Sequence, residues 1–227
     1  MHSKLFIEND SWKKSSPDGF KSMQSYEIFR WAGEASITKR IDCFWEMHQH
    51  LENMHLVDLG CGGGELLRSW LERTTSNCTG VDVSAPSKYI VDGQLAAKYT
   101  DRLNFFQLDI DTYLSKMHKR QFIDEPLIVT LIGVLQNCQA NPFDLLKRIL
   151  KDMRPRFLFF TCKVTYSLSQ LRKFDPNQFG HSLLYGPEIE EALWCSSFQI
   201  IRKSTINFAE SQESINFAYY AESKKQV

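Results

Sequence analysis

The stretch Val57-Asp58-Leu59-Gly60-Cys61-Gly62-Gly63-Gly64-Glu65-Leu66-Leu67 constrains this chain more than any other. A short apolar run carrying one acid breaks into glycines, and an apolar-periodic segment over 66–71 follows at once. That order predicts strand, tight turn and helix, the opening unit of an α/β sheet whose ligands bind beyond the carboxyl ends of the strands. Glycine permits positive φ in such a turn and, lacking Cβ, lets the backbone approach a ligand closely.

The turn also excludes ligands. A dinucleotide fingerprint needs glycine at its first, third and sixth positions, with a pyrophosphate on the helix N-terminus. Counted from Gly60, the sixth position is Glu65, whose carboxylate would repel a pyrophosphate. No Gly-Lys-Ser/Thr follows, so a phosphate-cradling loop is excluded as well. The turn suits a nucleoside without phosphates whose near end is cationic or zwitterionic, and Asp58 can face an ammonium there.

Two further strand ends agree. Thr79-Gly80-Val81-Asp82-Val83-Ser84 ends a short strand in an acid, and Leu103-Asn104-Phe105-Phe106-Gln107-Leu108-Asp109-Ile110-Asp111 ends another. A carboxylate about 20 residues beyond the glycines is the usual acceptor of ribose hydroxyls. With these three strand ends in order, the chain over 55–223 resembles the class I S-adenosylmethionine-dependent methyltransferases. The resemblance implies that Gly60, Cys61 and Gly62 line the methionine side of S-adenosyl-L-methionine, with Asp58 helping to hold its ammonium. It places Asp82 on the ribose, Val83 on the adenine ring, Asp109 by the adenine amino group, and the Ile110 N–H beside it. Asp109 and Asp111 can each instead be the N-cap of the following helix.

Composition bounds the rest. In 227 residues, 27 Lys plus Arg balance 27 Asp plus Glu, so no net field draws the chain to nucleic acid or an anionic membrane. No apolar run approaches a membrane span, and the polar segment 1–16 lacks the apolar core of a signal peptide. The cysteines at 43, 61, 78, 138, 162 and 195 contain no C-x-x-C pair, which suits free thiols in a reducing cytoplasm. His48, His50 and His55 cluster ahead of the first strand, but no Cys or acid completes a metal-ligand set at helical spacing.

The expected architecture is α/β: a Rossmann-like, seven-stranded mixed sheet flanked by helices and closed by a terminal antiparallel hairpin. Strands are expected near 55–59, 78–83, 103–108, 127–132 and 156–163, with helices near 65–73, 86–99, 111–118, 141–152 and 187–195. Pro86, Pro142 and Pro187 stand where helices should begin. Alternation over 197–206 and 215–223 predicts the hairpin, which is also typical of the resembled family. Residues 1–52 read as an N-terminal arm and helical lid, and 53–227 as the Rossmann-like domain. Helical spacing over 21–52, broken near Ala32-Gly33 or Ser36, predicts two helices. Tyr26, Arg30 and Trp31 are their candidate lid residues, and Arg30 or Arg40 is a candidate for the cofactor carboxylate.

The run Leu127 to Cys138 resembles the family's fourth motif, in which a strand ends beside the transferable methyl. Leu131, Ile132 and Gly133 would form the floor under the sulfonium, and Gln136 would contact cofactor or substrate or cap a helix. Relatives often carry an acid and a histidine where Leu127 and Asn137 stand, so no general base is carried over. The stretch 163–187 reads as a long β-α loop with Tyr166, Arg172, Phe174, Phe179, His181 and Tyr185, and long loops tend to be functional. Interleaved aromatics suit a small, partly apolar acceptor, with Tyr26, Trp31, Gln136 and Tyr185 as its candidate contacts. His181 is the base candidate, because an unperturbed imidazole titrates near neutrality. The resemblance therefore implies methyl transfer, and the balanced charge with the aromatic loop points to a small-molecule acceptor rather than nucleic acid or membrane, with a homodimer allowed. The competing readings are electrostatic use of the sulfonium for cyclisation or elimination, and a non-catalytic cofactor-binding subunit.

Overall fold

The computed structural model describes residues 34–48, 53–83, 98–99, 101–116, 126–138, 141–175, 182–206 and 215–224. Its strands are β1 (His55–Leu59), β2 (Cys78–Asp82), β3 (Leu103–Gln107), β4 (Leu127–Ile132), β5 (Phe157–Thr165), β6 (Leu184–Tyr185), β7 (Phe198–Ile206) and β8 (Ile215–Ser223). Among the described residues the helices are α1 (Glu34–Met47), α2 (Glu65–Arg73), α3 (Ile110–Lys116), α4 (Pro142–Met153), α5 (Leu168–Lys173) and α6 (Gly186–Cys195), with a 3-10 turn over Leu135–Asn137.

The strands pair in the order β3-β2-β1-β4-β5-β8-β7, and β6 attaches to β5 off this path. Neighbours from β3 through β5 run parallel, whereas β8 is antiparallel to both β5 and β7. The seven expected strands thus form one continuous path. The eighth is the two-residue β6, too short to leave a periodic signal, which pairs Leu184 with Val164 and Tyr185 with Thr165.

Alternation along each strand sends successive side chains to opposite faces. Val57, Leu59, Val129, Leu131 and Phe160 pack on one face with Tyr113 of α3, Leu146 of α4 and Ile189 of α6. Leu56, Ile128 and Phe159 pack on the other with Phe44 of α1 and Trp70 of α2. Apolar residues at helical spacing put Ile37, Ile41 and Phe44 on one side of α1, and the Phe44 ring meets Phe159 at 5.2 Å. The helix therefore covers the sheet. Emptying the fully buried Trp70 site with alanine should cost about 3–5 kcal/mol.

Local chemistry sets the helix ends. Asn141 caps α4 by accepting the Phe143 N–H at 2.9 Å, Pro142 occupies the first turn, and Arg154 closes the helix in the left-handed region. The stretch expected to be one loop over 163–187 begins as strand, since β5 runs to Thr165, and then holds α5. Ser167 caps α5 by accepting the Gln170 N–H at 3.3 Å. Only Leu171 of that helix is buried, so no apolar stripe announces it. Of the expected helix over 86–99, all but 98–99 lies outside the described residues, as do residues 1–33.

Candidate cofactor and acceptor site

The glycine turn joins β1 to α2 and is stitched onto the carboxyl end of β2. The N–H groups of Gly60 and Cys61 donate to the Val81 carbonyl at 2.7 and 3.1 Å, and Gly64 donates to the Cys61 carbonyl at 2.9 Å. Gly60, Gly62 and Gly64 adopt φ of 76, 52 and 82°, a region open to glycine and costly for other residues. A Cβ at Gly60 would also lie 2.5 Å from Val134 Cγ2. Asp82 closes the loop by accepting the Gly62 N–H on Oδ2 at 2.8 Å.

Asp58 is buried beneath this turn and accepts a hydrogen bond from Thr130 Oγ1 at 2.6 Å. Burial pushes its carboxyl up from 3.8 to about 7, the Thr130 bond opposes that rise, and the nearby charges of Asp82 and Glu65 add to it. Three carboxylates around one glycine turn disfavour a phosphate and favour a cation. The acceptor set therefore fits an S-adenosylmethionine molecule, with its ammonium and sugar diol, and does not fit a pyrophosphate.

The other sequence candidates separate by face and by partner. Cys61 points into the core: a Cβ on Gly80 would lie 2.9 Å from its Sγ and 2.5 Å from Leu67 Cδ1, and burial holds the thiol well above its ordinary range. Only its backbone belongs to the turn. Val83 is 43% exposed just past β2. Asp109 is the N-cap of α3, accepting the Thr112 N–H at 2.7 Å and the Thr112 hydroxyl at 2.6 Å. Burial works against ionisation there, but the Thr112 bonds and local backbone N–H groups outweigh it and hold the carboxyl below its usual range. Asp111 instead pairs with Arg148 at 2.6 Å. Ile110 is half-buried at the start of α3. Leu131 lies wholly in the core, while Ile132, on the opposite face, is half-buried at the end of β4.

Beyond β4, Gly133 takes φ +70° and donates its N–H to the Thr161 carbonyl at 3.1 Å. Asn137 donates its side-chain amide to the Gly133 carbonyl at 2.8 Å. Gln136 is buried and ties two segments to this corner. Its Oε1 accepts the Lys163 N–H at 3.2 Å, and its carbonyl accepts the Ser182 N–H at 2.8 Å. Tyr185 is half-buried at the start of α6. Tyr26, Arg30, Trp31, Phe179 and His181 lie outside the described residues. Tyr166 is tied to α6, β7 and β8. Its hydroxyl donates to Glu190 at 2.6 Å and lies 2.9 Å from both Lys203 Nζ and the Tyr219 hydroxyl.

Two of the histidines near β1 serve the core: His48 Nδ1 meets the Tyr220 hydroxyl at 2.7 Å, and His55 Nε2 meets Thr79 Oγ1 at 2.8 Å, while His50 lies outside the described residues. Among the described residues no group of three His, Cys, Asp or Glu could hold a metal ion. No helix among them is long and apolar enough to cross a membrane.

A parallel sheet ending in an antiparallel hairpin, with a glycine turn and acids at successive strand ends, is the class I S-adenosylmethionine-dependent methyltransferase fold. The family described as "Methyltransferase domain" matches residues 33–199, and the chain belongs to it. Solved structures with this fold include the cyclase SpnF, at 14% identity and a TM-score of 0.65 over 85% of this chain and 82% of that one. Another is the 1,6-didemethyltoxoflavin-N1-methyltransferase of Burkholderia thailandensis, with 1,6-didemethyltoxoflavin and S-adenosylhomocysteine bound. It is 19% identical, with a TM-score of 0.60 over 88% and 84% of the two chains. The magnesium protoporphyrin IX methyltransferase of Synechocystis PCC 6803 is 14% identical, with a TM-score of 0.59 over 95% and 93%. No curated protein matches the sequence.

Proposed function

We propose that this methyltransferase binds S-adenosylmethionine at the turn from Gly60 to Gly64 and transfers its methyl group to a small-molecule acceptor. The observation that carries the reading is the buried Asp58 below a left-handed glycine turn that Asp82 clips to β2. Bound there, the cofactor supplies a methyl group on a sulfonium, already activated for in-line displacement. The chain's own residues then have three tasks: to bind, to align and to exclude water.

Asp58 faces the ammonium and Asp82 accepts from the ribose hydroxyls. Val83 packs on the adenine, with Asp109 and the Ile110 N–H at its edge. The two oxygens of Asp109 that cap α3 keep acceptor capacity, since a carboxylate oxygen can accept more than one hydrogen bond. Ile132, Gly133 and Gln136 form the floor at the end of β4, and Tyr185 stands on the acceptor side. The lid candidates Tyr26 and Trp31 and the base candidate His181 complete this assignment from sequence. A base is needed only for an acceptor that must lose a proton. The balanced charge and six free thiols support a cytoplasmic enzyme acting on metabolite-sized molecules.

A second reading has one specific observation behind it. Asn137 occupies the base position of the fourth motif and spends its amide on Gly133, and a cyclase shares the fold. The sulfonium would then act electrostatically without losing its methyl. Mass spectrometry of the chain incubated with cofactor and a metabolite extract separates the two. S-adenosylhomocysteine together with a product one methyl heavier supports transfer, and a rearranged product with intact cofactor supports cyclisation.

A further inference from the structure

The carboxyl ends of the central strands carry opposite charge on their two sides. Asp58, Asp82 and Glu65 surround the turn after β1, whereas Arg40 and Lys163 lie toward β5. Arg40 is buried on α1 and reaches across the sheet, donating from Nη1 to Thr161 Oγ1 at 2.5 Å and from Nη2 to Asn216 Oδ1 at 3.1 Å. Asn216 is the register partner of Lys163 on β8. Alternation puts the Lys163 side chain on the same face as Thr161, two residues beyond the point where β5 passes the end of β4. The guanidinium and the lysine therefore share one corner of the sheet.

A third donor converges there. The point where a Cβ would stand on Gly133 is 3.4 Å from Arg40 Nη1 and 4.0 Å from Gln136 Nε2. Both groups therefore lie within van der Waals reach of one point beside Gly133, whose φ of +70° favours glycine. Lys163 is half-buried, and no carboxylate among the described residues pairs with its ammonium. Burial and then the Arg40 charge pull that ammonium below its ordinary range, and burial does the same to Arg40. Two like charges drawn together out of water repel each other, and an anion between them reverses the sign of the interaction. A planar guanidinium beside a point-charge ammonium suits the oxygens of a carboxylate or phosphate.

We propose that Arg40, Lys163 and Gln136 form an anion-binding subsite of the acceptor cleft, so that the methyl acceptor carries a carboxylate or phosphate group. This rests on the methyltransferase reading for the word acceptor, while the anion subsite stands on its own geometry. The cofactor's own carboxylate is the rival occupant. Position favours the acceptor, because Lys163 lies on β5, two strands from the β1 turn.

The test is calorimetric titration of the intact chain with inorganic phosphate and, separately, benzoate at constant ionic strength. It is run with and without saturating S-adenosylhomocysteine, on the native chain, Lys163→Met and Lys163→Arg. The expected result is that at least one anion binds the native chain and Lys163→Arg whether or not S-adenosylhomocysteine is present. Binding to Lys163→Met should be about tenfold weaker or lost, the scale of one charge-assisted hydrogen bond. Lys163→Met should keep its affinity for S-adenosylhomocysteine. Absence of anion binding to the native chain, or equal binding to native and Lys163→Met, overturns the proposal. Anions displaced by S-adenosylhomocysteine, with weakened S-adenosylhomocysteine binding in Lys163→Met, overturn it in favour of the cofactor carboxylate. If S-adenosylhomocysteine fails to bind the native chain while the anion still depends on Lys163, the cofactor reading fails and the anion subsite stands.

Discussion

Thr130 on β4 donates a 2.6 Å hydrogen bond to Oδ1 of Asp58, its register partner on β1, in the buried layer under the glycine turn. That bond favours the ionised carboxylate, against burial and the charges of Asp82 and Glu65. Thr130→Val keeps the shape and removes the donor. It should raise the Asp58 pKa further and weaken S-adenosylhomocysteine binding at neutral pH by about 1–3 kcal/mol. Unchanged affinity in calorimetry would detach Asp58 from the ligand.

The same carboxyl sets a pH dependence. Its folded-state pKa, about 7, lies above the ordinary 3.8, so its contribution to stability is fully present below about 4. That contribution is lost as pH rises through about 7, and Asp58→Asn should remove this slope from the ligand-free unfolding profile. An ammonium ligand selects the ionised form, so affinity for S-adenosylhomocysteine should rise with pH through the same region, with proton release on binding. Titrations in buffers of different ionisation heat measure the release, and a pH-independent affinity in the native chain would contradict it.

Asp82 has two tasks, so its variants should differ. Asp82→Ala loses both the Gly62 bond and the proposed ribose contact, and should weaken the ligand by roughly 2–3 kcal/mol. Asp82→Asn keeps an acceptor and should lose less. Equal losses of thermal stability and of ligand affinity in Asp82→Ala would make the residue purely structural.

Gly80 lies against α2 with no room for a methyl group, since its Cβ would meet Leu67 Cδ1 at 2.5 Å and Cys61 Sγ at 2.9 Å. Gly80→Ala should therefore destabilise the fold by about 1–3 kcal/mol, the usual cost of overpacking. Combining it with Cys61→Ala should recover part of the loss, which denaturant unfolding can measure.

Local patterns carried most of this fold. Strands β1 and β4 lie at the expected residues because short apolar runs bounded by turn signals need no distant information. The hairpin of β7 and β8 announced itself through alternation. Gly80 did not, because its reason is a helix packed across the sheet. The short helix α5 was hidden by having one buried residue, and β6 by having two residues in all. Asp109 and Asp111 could not be told apart until Thr112 and Arg148 were placed in space. The Arg40 contacts span 121 and 176 residues, a separation at which no spacing rule operates.

The central claim is that the turn from Gly60 to Gly64 is the seat of the cofactor, and one comparison tests it most directly. Gly62, at φ 52°, donates its N–H to Asp82, and a valine there would have to leave that conformation. Isothermal titration of S-adenosylhomocysteine into the native chain and Gly62→Val, with circular dichroism to confirm that both are folded, should give one-to-one binding to the first and none to the second. Equal affinity in the two folded proteins, or no binding to the native chain, would contradict the assignment.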